Sequence, residues 1–305
     1  MKRRTFLITT LAAAAIPSCK PNAAKPQSSG KLRVLTSFLP IQSHATAIGG
    51  GLCEVDQLLT RDAGPHDFQI TPDDVRKLAA ADLFIVNGAG LEAWLDELVE
   101  KAASPELVVV DCSANIQVQT GPPSLNAGAT HNESGGNPHF WLDPLSAKAQ
   151  AAAILRALQK ADPANSAAYA ANATAYSAEL DALDAEFRAV LAPLPNKNLV
   201  TFHDAFPYLA ARYGLNYVGF VSEFPEKDPP PRQLAELVDA IRRAEVGVLF
   251  AESGYAPGLL TEIARQTGTR VTQLDTLEIG VGHPTAYFDR MRENLATMKI
   301  AFSKP

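Results

Sequence analysis

Residues 163–191 read PANSAAYAANATAYSAELDALDAEFRAVL, with no glycine and no proline after the first position. Tyr169, Ala173, Tyr176, Leu180, Leu183, Phe187 and Val190 recur at steps of three and four, which puts them on one face of an α-helix. A helix over this stretch spans about 43 Å, more than one lobe needs. The reading is a rigid rod that crosses from one lobe to another. A coiled-coil seam is the weaker alternative, because the stripe lasts only about four heptads and is rich in alanine.

Outward from the rod, both flanks alternate strand and helix. On the amino-terminal side, Leu32–Thr36, Glu54–Leu59, Leu83–Val86 and Leu107–Val110 are apolar runs of strand length. Helices are predicted between them over 41–50, from Pro72 behind a Thr71 cap, and over 91–101. On the carboxyl-terminal side, Leu199–Phe202, Tyr217–Phe220, Val246–Phe250 and Val271–Leu274 read as strands. Helices follow over 232–243, 257–266 and 284–299. The predicted fold class is α/β, two lobes each with a parallel β-sheet flanked by helices, joined by one long rigid α-helix. The predicted divisions are 1–30 (signal and tether), 31–162 (first lobe), 163–192 (linking helix) and 193–305 (second lobe).

The bulk numbers agree with a folded, exported protein. Of 305 residues, 47% are hydrophobic and 20% charged, a globular composition. A net charge of −6 excludes the basic face that nucleic-acid binding needs. Three cysteines are too few for a disulfide framework. Lys2-Arg3-Arg4 opens the chain, and the apolar run from Thr5 to Ile16 is too short to span a bilayer, so it reads as a removable signal. Arg3-Arg4-Thr5-Phe6-Leu7 resembles a twin-arginine export motif, and Ile16-Pro17-Ser18-Cys19 resembles a lipobox. The expected location is periplasmic, with the mature chain either lipid-anchored at Cys19 or soluble. Residues 20–30 read as a flexible tether.

Four strand-end loops each carry one metal-competent side chain. His66 follows the second strand and His139 lies in Asn137-Pro138-His139-Phe140-Trp141-Leu142-Asp143-Pro144. His203 ends the Leu199–Phe202 strand, and Asp275 ends the last one. In parallel sheets, ligands bind beyond the carboxyl ends of strands, and sites favour domain interfaces. The candidates are 73, 64 and 72 residues apart, unlike a zinc finger or H-E-x-x-H, and fit one group from each of four loops. Prolines and the Asp143-Pro144 helix start pin His139 most firmly. Three imidazoles and a carboxylate suit zinc; manganese, which prefers more oxygen ligands, is the alternative. Asp204 is a candidate to orient an imidazole. His44 and His283 read as exposed helix-start residues, and His131 and Glu133 belong to a patternless loop over 113–136.

Taken together, these segments resemble the metal-binding receptors of zinc/manganese ABC importers. The resemblance covers 31–305 and rests on Gly64-Pro65-His66, Thr71-Pro72-Asp73-Asp74, Asn137–Pro144, His203-Asp204-Ala205-Phe206, Asp228–Leu234, Phe250-Ala251-Glu252 and Leu274-Asp275. It implies one buried metal held by His66, His139, His203 and Asp275, modest lobe motion, and delivery to a membrane permease driven by an ATPase. A monomer is expected, with a periplasmic metallochaperone as a further partner. The loop before His139 is His-poor beside many zinc receptors, with only His131. A Cys53–Cys112 disulfide is disfavoured, since the implied sheet order keeps the two apart. Two other functions compete. A zinc hydrolase would need three protein ligands, an open position and a base such as Glu252 or Asp204. An adhesin has no specific support in the residues. The protein is therefore read as a binding protein and not an enzyme.

Overall fold

The predicted rod is helix α5 (Ser166–Leu191), preceded by a 3-10 turn at Pro163–Asn165. It buries Tyr169, Ala173, Tyr176, Leu180, Leu183, Phe187 and Leu191, so Leu191 and not Val190 closes the stripe. The computed structural model describes residues 30–59, 63–66, 68–119, 136–222, 230–252 and 258–303. The segment read as an export signal, with Cys19, and His131 and Glu133 lie outside the described residues.

The first lobe contains β1 (Arg33–Thr36), α1 (Leu39–Gly49), β2 (Glu54–Gln57), α2 (Pro72–Ala80), β3 (Leu83–Val86), α3 (Leu95–Ala102), β4 (Val108–Asp111) and α4 (Pro144–Ala161). The second contains β5 (Asn198–His203), α6 (Pro207–Tyr213), β6 (Asn216–Ser222), α7 (Pro231–Arg243), β7 (Val248–Glu252), α8 (Gly258–Thr267), β8 (Arg270–Leu274) and α9 (Ala286–Ser303). Both sheets are fully parallel, in the orders β2-β1-β3-β4 and β6-β5-β7-β8. The two lobes thus repeat one winding, and within each sheet all four strands end on the same side.

Local chemistry explains the helix starts. Thr71 and Asp74 form a reciprocal capping box ahead of Pro72. Asp143 caps α4, accepting from Leu145 N at 3.1 Å, with Pro144 in the first turn. Helix α6 was not anticipated from the sequence. Pro207 opens it and Gly214, at φ 62°, closes it, the asymmetry expected of a short helix.

One apolar core runs through both lobes, from Val34 and Leu35 in β1 through Leu180, Leu183 and Phe187 in α5 to Met291 and Phe302 in α9. A second, smaller cluster around Val200, Leu237, Ile241 and Leu249 backs the second sheet. Helix α9 packs on both α1 and α5, so the chain's last helix ties the lobes a second time.

His44 is a correction to the sequence reading. It is fully buried, because α1 packs against both α5 and α9. Its Nδ1 lies 2.8 Å from the Tyr176 hydroxyl, and its ring stands edge-on to Tyr287 at 4.9 Å. Cys53 and Cys112 are free and buried; they flank β2 and β4, the opposite edges of the first sheet.

Two measurements test this packing. Leu183→Ala, at a fully buried α5 position, should cost about 2–5 kcal/mol in urea unfolding without loss of secondary structure. Burial lowers the His44 pKa to about 3, against a partly opposing contact with Gln150. The unfolded chain therefore binds a proton between the ordinary value of 6.5 and about 3 that the folded chain does not. Stability should fall with acidification through that window, by up to about 1.4 kcal/mol per pH unit from this residue. His44→Gln should flatten the urea-midpoint profile there relative to wild type.

Candidate metal centre

His66 sits on the loop after β2. The Trp94 indole N–H donates to the Pro65 carbonyl at 2.9 Å, and Phe68 packs on the same ring at 4.8 Å. These contacts fix the backbone immediately around the imidazole.

His139 is fixed more completely. Its backbone N–H donates to Asn137 Oδ1 at 2.9 Å, and its Nδ1 lies 3.0 Å from the same oxygen. Asn137 Nδ2 donates to the Asp204 carbonyl at 2.7 Å, which sets the amide's orientation. An amide oxygen only accepts, so Nδ1 carries the proton and Nε2 presents its lone pair. The unanticipated helix α6 supplies two cross-lobe supports. Tyr208 Oη donates to the Asn137 carbonyl at 2.6 Å, and Arg212 grips the Asp143 carboxylate with Nε at 2.8 Å and Nη2 at 2.6 Å.

His203 is the last residue of β5. Its backbone N–H donates to Glu252 Oε1 at 2.9 Å, and Nδ1 bonds Glu252 Oε2. Glu252, at the end of the neighbouring β7, therefore turns the His203 Nε2 toward the crevice.

The structure brings His66, His139 and His203 together and adds Glu278 in place of Asp275. His139 Nε2 lies 3.2 Å from both His66 Nε2 and His203 Nε2. Glu278 Oε1 lies 3.2 Å from His139 Nε2, 3.4 Å from His203 Nε2 and 3.6 Å from His66 Nε2. A tetrahedron whose corners lie 2.0–2.1 Å from a central ion has edges of about 3.3–3.4 Å. The observed spacings match those edges. Both Glu278 oxygens are buried without a hydrogen-bond partner, a costly arrangement unless a cation faces them.

The electrostatics point the same way. Burial pushes the Glu278 carboxyl up, but the charge of His203 and the surrounding imidazoles outweigh it and hold it well below the carboxylate range. Burial pushes His203 down, and the Glu252 and Glu278 charges more than reverse that. Burial, helped by the neighbouring His203 and His66 and opposed by Glu278, lowers the His139 pKa to about 3 and leaves it neutral. The His66 side chain, 10% exposed, is the only one of the four to reach solvent, the other three being at 0%.

Asp275 stands outside the cluster as a turn-former. Its Oδ1 accepts from Leu277 N at 2.8 Å, and its Oδ2 pairs with Arg290 Nη1 at 3.0 Å. Asn294 brackets its backbone on both sides. The turn takes Leu277 to φ 62° and aims Glu278 inward. The strand-end rule favoured the first acid of Asp275-Thr276-Leu277-Glu278; only the turn's geometry picks the second. Asn137 and Glu252 are the groups that orient the imidazoles of His139 and His203. Glu252, bonded to the far side of His203, is not aimed at the centre as a hydrolytic base would be.

The family model described as "ZnuA: Zinc-uptake complex component A periplasmic" matches residues 34–301. The zinc-binding protein AdcA of Streptococcus pyogenes is 26% identical over 319 residues, covering 98% of this chain. The chain spans only 62% of that relative's length. The high-affinity zinc uptake system protein ZnuA of Bacillus subtilis is 29% identical over 281 residues, covering 88% of this chain and 87% of the relative. Among solved structures, the laminin-binding adhesin Lmb of Streptococcus agalactiae superposes with a TM-score of 0.79 at 31% identity, covering 89% of this chain and 99% of its own.

Proposed function

The chain belongs to the family of periplasmic component A proteins of zinc-uptake complexes, and from that premise we propose that it is an extracytoplasmic receptor that captures Zn2+ and passes it to the permease of an ABC importer. The observation that carries this reading is the tetrahedral spacing of His66, His139, His203 and Glu278. In this proposal all four are ligands, and the metal is cargo, not a resident cofactor.

Each part of the site serves capture. Asn137 and Glu252 hold two imidazoles in the tautomer that points Nε2 at the centre. Glu278 supplies the negative charge, and the entering dication displaces the proton that His203 shares with its carboxylate neighbours. Three nitrogens and one oxygen favour zinc over manganese. Four protein ligands close the coordination shell, which leaves no position for a reacting water and supports carriage over hydrolysis. His66, the ligand nearest solvent, marks the side of entry. Export through the signal at Arg3-Arg4, a lipid anchor at Cys19, a monomeric state and loading by a metallochaperone are further parts of the proposal that rest on sequence alone.

Calorimetric titration of metal-free protein should show one equivalent of Zn2+ bound, more tightly than Mn2+. Glu278→Gln should weaken zinc beyond the roughly 10–100-fold typical of losing an orienting partner. Asp275→Asn, which keeps the turn's hydrogen-bond acceptor, should weaken it far less. The reverse ranking would return the carboxylate role to Asp275, and a wild-type protein that binds neither metal would end the receptor reading.

A further inference from the structure

We propose that Gln57 is a latch between the lobes that sets how fast the metal leaves; the inference rests on the metal-receptor reading above. Gln57 is the last residue of β2, in the first lobe, and is 7% exposed. Its side-chain amide reaches the loop between β8 and α9, in the second. Nε2 donates to the Gly280 carbonyl at 2.7 Å, and Oε1 accepts from the Gly282 N–H at 3.0 Å. The amide thus pairs with the backbone groups on either side of Val281, as the N–H and C=O of one residue would in a parallel sheet. Its second N–H donates to the Leu59 carbonyl at 2.5 Å, at the base of its own loop.

The position of this clasp matters. The Leu59 loop leads to His66, and the Gly280 loop begins two residues after Glu278. One side chain therefore ties together the bases of two ligand loops from opposite lobes. These loops carry the most solvent-accessible of the four residues and the widest of the measured separations, 3.6 Å. The metal leaves by parting them. The other two residues stand on more firmly braced ground, at the end of β5 and between Asn137 and α4.

The loop is shaped for the clasp. A Cβ on Gly282 would lie 2.7 Å from the Leu39 carbonyl and 2.9 Å from Gln42, so the backbone lies directly on α1. Ser43, also on α1, donates to the His283 carbonyl at 2.8 Å and accepts from Tyr287 N at 3.2 Å. Rigid helices α5 and α9 leave loop parting as the inexpensive motion, and the buried amide opposes it. Gln57 acts through the loops and touches no ligand atom, so it is a positioning residue.

The test is stopped-flow release of Zn2+ from full-length protein into excess chromogenic chelator, with association rates and metal-free melting temperatures measured in parallel. Gln57→Leu should release zinc about 10–30-fold faster, as expected for losing the two buried cross-lobe hydrogen bonds, with stoichiometry and association rate retained. Gly282→Ala, which pushes the loop off α1 and leaves Gln57 in place, should accelerate release in the same way. Wild-type release from a folded Gln57→Leu protein overturns the latch, as does an affinity loss carried by slower association. If Gln57→Leu does not fold, Gly282→Ala decides: faster release supports the latch and an unchanged rate overturns it. Failure of the wild type to bind zinc overturns the receptor reading itself, and the latch with it.

Discussion

The constraint on which the structure depends is the buried carboxylate of Glu278. A carboxylate taken out of water without donors costs several kcal/mol, and the fold meets that cost only by surrounding it with three imidazoles. None of the four groups could hold its place alone. Each imidazole nitrogen within 3.2–3.6 Å of the carboxylate belongs to a different segment, so this electrostatic arrangement exists only when both lobes are docked. The same arrangement suits a dication: a buried anion beside converging imidazole Nε2 atoms is stabilised by a positive charge at their centre.

The lobes are docked through a continuous helical and apolar frame. Helix α5 packs on α1 and α4 of the first lobe and on α6 and α9 of the second, α9 also packs on α1, and the apolar core is continuous from β1 to Phe302. Cross-lobe polar contacts finish the frame: Arg212 on Asp143, Tyr208 on the Asn137 carbonyl, and the Trp141 indole on the Thr276 carbonyl at 2.8 Å. Against this frame, release is proposed to depend on loop contacts, of which the Gln57 amide on Gly280 and Gly282 is the one that joins two ligand loops.

The supports around the site are themselves ordinary elements given a second task. The capping aspartate of α4 is also the anchor for Arg212. The strand-end acid Glu252 both receives the His203 backbone and sets its tautomer. Asp275, the acid that looks most like a ligand from its strand-end position, builds the turn that presents the acid that is aimed at the centre. Helix α6, only seven residues long, places Tyr208 and Arg212 against the His139 segment.

Local sequence determined much of this. The stripe from Tyr169 to Phe187 fixed the connecting helix, the apolar runs fixed eight strands, and Thr71-Pro72 and Asp143-Pro144 fixed helix starts, because propensity, capping and periodicity act over a few residues. The strand-end rule located three histidines for the same reason. What only tertiary structure decided involves contacts between residues far apart in the chain or choices between near-equal neighbours. Asp275 and Glu278 are both acids on one loop, and the left-handed turn at Leu277 separates their roles. His44 is buried because two helices more than a hundred residues away close over it. Gln57 meets its partners across 223 and 225 residues. No local pattern encodes such meetings, since they exist only once the two lobes share a surface.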